Sequence, residues 1–529
     1  MSTTTPQREV FATRGAFIFA AIGSAVGLGN IWRFPYVTYE NGGGAFIIPY
    51  LVALLTAGIP LLFFDYAMGH RSRGSAPLAF RMATKVAEPI GWFQTGVAVV
   101  IGIYYAAIIG WAGAYMFFSL NQAWGDDAET YFFGSFLQMG DPGVSFEFVP
   151  MILILVIVVW VITLGVLLGG VQAGIARFSK IFIPLLIILF LALVIRALFL
   201  PGAAEGLNAL FTPDFSALTN PAVWIAAYGQ IFFSLSIAFG IMITYASYLK
   251  KKTNLTGSGL VVAFSNSGFE ILAGIGVFAA LGFMAAASGS QVSDVATSGI
   301  GLAFVAFPTL ISEMPGGGLF GFAFFACLVF AGLTSLISIV QVPIQALREK
   351  FGIGNKASIL LVGGAMAIIS ILLMSTVTAL YVLDTMDAFA NNIGIVGAAV
   401  VGLIVVGWFA RKLPVLRDHL NAISSFKVGW FWMIILGGVT ALVLAYMLIT
   451  QIITYATEGY GEYPALIIGV FGWGMIALLI VIAVVLSLIR WPRKTIEEAD
   501  AAIADSVAEE QKGHHTGRHA ADETTRGGN

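Results

Sequence analysis

Gly23-Ser24-Ala25-Val26-Gly27-Leu28-Gly29-Asn30-Ile31-Trp32-Arg33-Phe34-Pro35 lies inside the first long apolar run of the chain, where an unbroken helix would be expected. The stretch holds three glycines, an Asn, an Arg and a Pro. Glycine weakens a helix by roughly 1 kcal/mol relative to alanine. In a membrane, broken backbone is tolerated only where it is buried in protein or lines a cavity. An arginine at depth costs several kcal/mol and needs a partner. The segment therefore reads as a helix unwound for a purpose, offering carbonyls and amides to a ligand. A kinked helix with close glycine packing is the plainer alternative.

Working outward, the 529 residues are 59% hydrophobic and only 10% charged, with a mean hydropathy of +0.92. Soluble domains carry about 25% charged residues. This is the composition of an all-α polytopic membrane protein, with apolar runs near the ~20 residues a spanning helix needs. The net charge of −2 by itself says nothing about partners, and no nucleic-acid partner is expected. The single cysteine, Cys327, excludes an internal disulfide and Cys-based metal motifs. No cleavable signal peptide is expected, because the first apolar run is far longer than a 7–15-residue h-region.

Twelve spans are expected, at 13–38, 44–70, 90–122, 149–168, 176–200, 223–249, 259–285, 318–348, 356–378, 382–411, 429–455 and 464–490. Lys and Arg collect in alternate loops, from Arg8 and Arg14 through Lys250-Lys251-Lys252 to Arg490, Arg493 and Lys494. The opposite loops 123–148, 201–222, 286–316 and 456–463 hold acids and neither Lys nor Arg; Arg196 is an exception to the pattern. The positive-inside rule then places both termini in the cytoplasm of a cell (plasma) membrane protein. After Trp491 a short helix is expected over Thr495–Gln511, with a disordered polar stretch beyond. The tail's His514, His515 and His519 read better as a solvated stretch than as a metal site.

A second interruption, Gly229-Gln230-Ile231-Phe232-Phe233-Ser234-Leu235-Ser236-Ile237-Ala238-Phe239-Gly240, falls in the sixth span. Paired broken spans in corresponding halves point to an inverted-repeat transport site. Asn266 and Glu270 lie four apart on one face of span 7. Ala331-Gly332-Leu333-Thr334-Ser335 marks span 8, with Ser338 further on, and Tyr104 and Tyr105 sit deep in span 3. Asp387 opens span 10 as a candidate partner for Arg33. Carbonyls, amide oxygens and hydroxyls are hard neutral ligands that suit Na⁺. Helix N-terminal amides near Leu28 and Gly29 suit a carboxylate, and helix C-terminal carbonyls an ammonium. A zwitterionic amino acid satisfies both. No Walker, HExxH or GxSxG motif is present, which argues against an enzyme.

The run Gly27 to Pro35, Glu40-Asn41-Gly42-Gly43-Gly44-Ala45-Phe46, Pro49-Tyr50, Gly229 to Ser234, Thr244-Tyr245-Ala246-Ser247-Tyr248 and Phe330 to Ser335 strongly resemble the neurotransmitter:sodium symporter family, in a bacterial amino-acid (LeuT-like) form. The resemblance implies a 5+5 inverted repeat with discontinuous spans 1 and 6 and two extra C-terminal spans. It divides the chain into a cytoplasmic N-terminus (1–12), repeats at 13–200 and 223–411, spans 11 and 12 at 429–490, and a partly disordered tail at 491–529. It implies Na⁺ at two sites and no organic cofactor. The first sodium would take Ala25, Asn30, Ser234 and Asn266; the second Gly23, Val26, Ala331, Thr334 and Ser335. Substrate would meet Leu28, Gly29 and Tyr105 with its carboxylate, and Ala25, Phe233, Ser234 and Ser236 with its ammonium. Ile101, Phe233, Phe239, Ser335, Ser338 and Ile339 would line the side-chain pocket. Arg33 with Asp387 would gate the outside, and Arg8 with Glu349 the inside; Gly174 and Pro184 match a motif linked to unwinding of span 5.

Four positions depart from common family patterns. Ser234 stands for a frequent Thr, Phe11 for an inner-gate Trp, and Ala238 for a frequent Gly that would widen the pocket. Glu270 replaces the neutral Ser of chloride-dependent relatives, supplying the negative charge itself. The expectation is a chloride-independent sodium symporter of a neutral amino acid, small or unbranched such as alanine or methionine. An amino-acid-binding sensor or an ion channel is the alternative. Its partners are the amino acid and the bilayer, with a homodimer or small accessory subunit left open.

Overall fold

The computed structural model describes residues 9–296 and 299–526. Among them no strand occurs; two isolated bridges, Gly43 with Pro213 and Phe148 with Thr376, tie loops together. Ten helices are long and apolar enough to cross a membrane. These are span 2 (Gly44–Ser72), span 3 (Lys85–Phe118), span 4 (Pro150–Leu168), span 5 (Gly170–Leu198) and span 7 (Leu255–Ser288). Span 8 (Gly317–Phe351), span 9 (Asn355–Met374), span 10 (Ala379–Phe409), span 11 (Trp430–Thr457) and span 12 (Ala465–Leu488) complete the set. Span 1 is a bent pair, Arg14–Ala25 and Leu28–Glu40, turned by 55°. Span 6 is two short helices, Pro221–Ser234 and Ile241–Ser247.

The core sits where apolar helices are buried all round. The most apolar windows of spans 3 and 8 are 89% and 83% buried, and the two helices pack together along their length. Spans 4, 5, 11 and 12 are only 33% buried and present Ile, Leu and Val outward, as lipid-facing helices do. Both broken spans are held against this core.

Each break has a local cause. Thr13 caps the start of span 1 by accepting from the Ala16 amide at 3.1 Å. Its first half ends as Val26 turns extended (φ −74°, ψ 92°). Gly27 stays extended, and its amide donates to Asn30 Oδ1 at 3.0 Å as the second half begins. In span 6 the chain leaves the helix after Ser234 and passes Ser236 (φ 53°), Ala238 (φ 65°) and Gly240 (φ 85°) before resuming at Ile241. Span 5 is helical past both Gly174 and Pro184.

Two findings differ from expectation. Arg8 lies outside the described residues, so its pairing with Glu349 has no structural account. The tail is helical from Arg493 to Arg526, a longer helix than the expected Thr495–Gln511. The helix is docked along its first turns on span 2 and on the helix Leu413–Ile423. Once nucleated there, each added residue gains one hydrogen bond for its lost freedom. The tail, Glu9 and the end of span 8 share one end of the molecule, where Asn355 donates to Glu9 and Thr495 to the Glu349 carbonyl.

Candidate functional site

The two breaks meet. The last carbonyls of the first half of span 1 are taken by hydroxyls from spans 6 and 8. Ser236 Oγ donates to the Ser24 carbonyl at 2.9 Å, and Ser335 Oγ reaches the Gly23 and Ser24 carbonyls at 3.3 Å. One turn on, the Leu28 amide donates to the Tyr105 hydroxyl at 3.2 Å. Two of the three groups assigned to a substrate carboxylate therefore meet at the positive end of a helix. Gly29 is required by proximity: a Cβ there would lie 2.0 Å from the Phe233 ring.

Two clusters of neutral oxygens flank this point. In one, Asn30 Nδ2 donates to Asn266 Oδ1 at 2.8 Å and Asn266 Nδ2 to Ser234 Oγ at 3.1 Å, with all three residues buried. In the other, Thr334 Oγ1 contacts the Phe330 and Ala331 carbonyls at 3.0 Å, beside Ser335 and its Gly23 contact. A Cβ on Gly23 would lie 3.2 Å from Thr334 Cβ, so span 1 and span 8 approach closely here. Among the described residues no group of three or more His, Cys, Asp or Glu could hold a metal.

A cavity of about 50 Å³ lies between the breaks. Ala25, Gly29, Asn30, Ile101, Tyr105, Phe233, Ser236, Phe239, Ser335 and Ile339 line it. Ser24, Tyr104, Asp387, Asn391 and Ile395 join them. Leu28, Ser234 and Ser338 do not line it; Ser338 donates to the Thr334 carbonyl at 2.9 Å and receives the Tyr245 hydroxyl at 2.6 Å, so it acts behind the wall. The expected outer gate is also arranged differently. Asp387 accepts from Tyr104 at 2.6 Å and Asn391 at 2.8 Å. The Arg33 guanidinium lies 4.8 Å over the Phe233 ring, and no ion pair joins the two among the described residues. Neutral donors satisfy the carboxylate while the ring face attracts the cation. A second cavity of about 240 Å³, lined by Arg33, opens above and shares Phe233, Asn391 and Ile395 with the first.

Glu270 is fully buried and accepts from Gln230 Nε2 at 2.6 Å and from the Tyr50 hydroxyl. Sequence reasoning missed Asp65, a buried carboxylate of span 2 that accepts from the Ala238 amide at 3.2 Å inside the span 6 break. Its signal, an acid within an apolar run, was present. At the tail end, Phe11 is 1% exposed and packs edge-on against Phe17, Tyr245 and Tyr248, with ring centres 5.7–6.2 Å apart. Glu349 accepts from the Ser75 amide at 2.8 Å and its hydroxyl at 2.6 Å.

Comparison with known proteins agrees with this geometry. The family model described as "Sodium:neurotransmitter symporter family" matches residues 8–132 and 124–494. The chain is 41% identical over 497 residues to the uncharacterized sodium-dependent transporter MJ1319 of Methanocaldococcus jannaschii, covering 93% of this chain and 99% of that protein. It is 30% identical to the human sodium- and chloride-dependent GABA transporter 2, covering 76% of this chain and 73% of the relative. The crystal structure of MhsT in complex with L-phenylalanine superposes with a TM-score of 0.71 at 31% identity, over 84% of this chain and 100% of that one.

Proposed function

The chain belongs to the sodium:neurotransmitter symporter family, and on that premise we propose that it carries a small or unbranched neutral amino acid into the cell together with sodium, without chloride. It is a sodium-coupled membrane transporter, not an enzyme. The observation that carries the finer reading is the meeting of the two breaks: Tyr105 and Ser24 line one cavity, the Leu28 amide donates to the Tyr105 hydroxyl, and two clusters of neutral oxygens lie alongside.

A substrate carboxylate would displace the Leu28–Tyr105 hydrogen bond and take both donors. Its ammonium would face carbonyls at the end of the first half of span 1 and around Ser234. One sodium would sit among Ala25, Asn30, Ser234 and Asn266, next to the carboxylate; a second would sit among Gly23, Val26, Ala331, Thr334 and Ser335. The methyl of Ala238 in the span 6 break, together with Ile101, Phe239 and Ile339 in the cavity wall, favours alanine or methionine over tryptophan. Pockets that differ by a methylene discriminate by only ~1–3 kcal/mol, so the preference is graded. Glu270, already hydrogen-bonded by Tyr50 and Gln230, supports chloride independence by supplying a fixed anion near the first sodium. The basic loops at the tail end support cytoplasmic termini.

The test is uptake of L-alanine and L-methionine into proteoliposomes under an inward sodium gradient. Asn30→Ala and Thr334→Ala should each cut uptake roughly tenfold, the scale of one buried contact to a charge at ~1.5–3 kcal/mol. Equal uptake in potassium alone would exclude sodium symport. Glu270→Ser should make uptake depend on chloride; a chloride-indifferent mutant with unchanged uptake would defeat that part of the reading.

A further inference from the structure

We propose that Asp384 and the tyrosines at and beyond the end of span 11 are positioning residues: they hold the outer half of span 10 where Asp387 cannot reach Arg33. The inference takes from the transport reading only that these two residues narrow the way into the central cavity when they pair.

Span 10 stands between the two cavities. Asp387, Asn391 and Ile395 line the central one, and Asn391, Asn392 and Ile395 line the larger one above it. A helix with cavities beside it has few packing partners there, so its position must be set from elsewhere. Spans 11 and 12 supply the contacts.

The first contact is at Asp384, three residues before Asp387. Its Oδ2 accepts from the Tyr463 hydroxyl at 2.8 Å. The Tyr463 ring is braced edge-on by Tyr381 at 5.4 Å and by Tyr460 at 6.0 Å, a favoured aromatic geometry. The second is at Asn392, whose Nδ2 donates to the Tyr455 hydroxyl at 2.9 Å. The third is apolar. The Phe389 ring lies 4.9 Å from Tyr455 and 5.1 Å from Trp473. It fits against span 12 because residue 472 is glycine; a Cβ there would lie 2.7 Å from the ring. The grip therefore covers Asp384 to Asn392, the stretch that carries Asp387.

The connection between spans 11 and 12 is shaped for this contact. Gly459, Gly461 and Glu462 have φ of 78°, 62° and 55°, and Pro464 holds Tyr463 extended. A left-handed glutamate persists only where its surroundings over-determine it. The docked tyrosines on either side of Glu462 do so.

Asp387, held in this way, is satisfied without Arg33. Its Oδ1 accepts from Tyr104 at 2.6 Å and from Asn391 at 2.8 Å, while Arg33 rests 4.8 Å over the Phe233 ring. Asn391 rides on span 10 itself, so of these two donors only Tyr104 anchors Asp387 to another span. Opposite charges in a poorly hydrated wall attract strongly. The contacts from spans 11 and 12 oppose that pull, and weakening them lets Asp387 close on Arg33.

The experiment measures thiol labelling of Ile395→Cys, at the boundary of both cavities, in the full chain in nanodiscs. The chain with Ile395 intact is the blank for buried Cys327. Tyr463→Phe keeps the ring and removes only the hydroxyl. It should slow labelling roughly fivefold, the scale of one net hydrogen bond. Asp384→Ala should slow it as much. In an Arg33→Gln background Tyr463→Phe should change nothing, because no pair remains to form; general misfolding would act in both backgrounds. Unchanged or faster labelling in Tyr463→Phe overturns the proposal, and so does slowing that persists with Arg33→Gln. The expected pattern in protein that shows no sodium-driven alanine uptake would leave the grip on span 10 standing and defeat the transport reading.

Discussion

The two broken spans are broken by different means. In span 1 the residues at the break keep ordinary negative φ, Val26 at −74° and Gly27 at −118°, and the glycines serve proximity. Gly29 lets the Phe233 ring lie where a Cβ would stand, and Gly23 lets Thr334 approach. In span 6 the backbone itself is in an uncommon region, with Ser236 and Ala238 at φ 53° and 65°. Each left-handed non-glycine residue costs roughly 1–2 kcal/mol. That strain is held by specific partners: the Ser24 carbonyl for Ser236, and Asp65 for the Ala238 amide. The first break is a matter of space and the second a matter of conformation. Substitutions should therefore act on them in opposite ways.

The largest effect is expected at Gly29→Ala. A methyl placed 2.0 Å from Phe233 leaves no room without moving the ring that also carries Arg33. Overpacking of this kind costs about 1–3 kcal/mol or more, and sodium-driven uptake should fall at least roughly tenfold. Phe233→Leu in the same chain should recover part of the lost thermal stability. No recovery would break the claim that space governs span 1.

Next is Asp65→Ala, which strands the Ala238 amide inside the span 6 break. Leaving a buried donor unpaired costs about 1–3 kcal/mol, readable as a lower unfolding midpoint. Asp65→Asn, which keeps an acceptor oxygen, should lose clearly less. Equal losses would show that charge, and not the amide contact, is what matters there.

The smallest effect has the opposite sign. Ala238→Gly removes a left-handed penalty of ~1–2 kcal/mol and gives back ~0.4–1 kcal/mol of unfolded-chain freedom. A net gain of about 0.5–1 kcal/mol should raise the unfolding midpoint slightly, and bulkier amino acids should compete better for the widened cavity. A glycine that destabilises would sink the conformational account of span 6. Gly27→Ala offers a sharpening control, because Gly27 is extended and the nearest atoms to its Cβ would be the Tyr105 and Ser335 side-chain oxygens, at 3.0 and 3.2 Å. It should fold normally yet weaken substrate binding through Tyr105.

Much of this was legible beforehand. Polar residues and glycines inside apolar runs located both breaks, because such residues are costly in a lipid-crossing helix wherever they occur. Asn30, Ser234 and Asn266 announced themselves the same way, and the structure joins them in one hydrogen-bonded chain. Other features were not legible. Asp387 is engaged by Asn391, its neighbour one helical turn on, and by Tyr104, which approaches it only because span 3 lies alongside. Ser338 has the spacing of a pocket residue but turns to Tyr245. The acidic tail gave no sign of its landing place on Lys251 and His419.

From the amino-acid order alone came the apolar runs, the places where two of them fail, and the neutral-oxygen chemistry gathered there. Those are local quantities, since transfer of each residue into lipid is charged against its own few neighbours. The tertiary structure alone decided which donor meets which acceptor, how small the central cavity is, and that the tail helix lands beside Lys251. Such contacts join residues hundreds of positions apart, and their geometry exists only once the helices are packed.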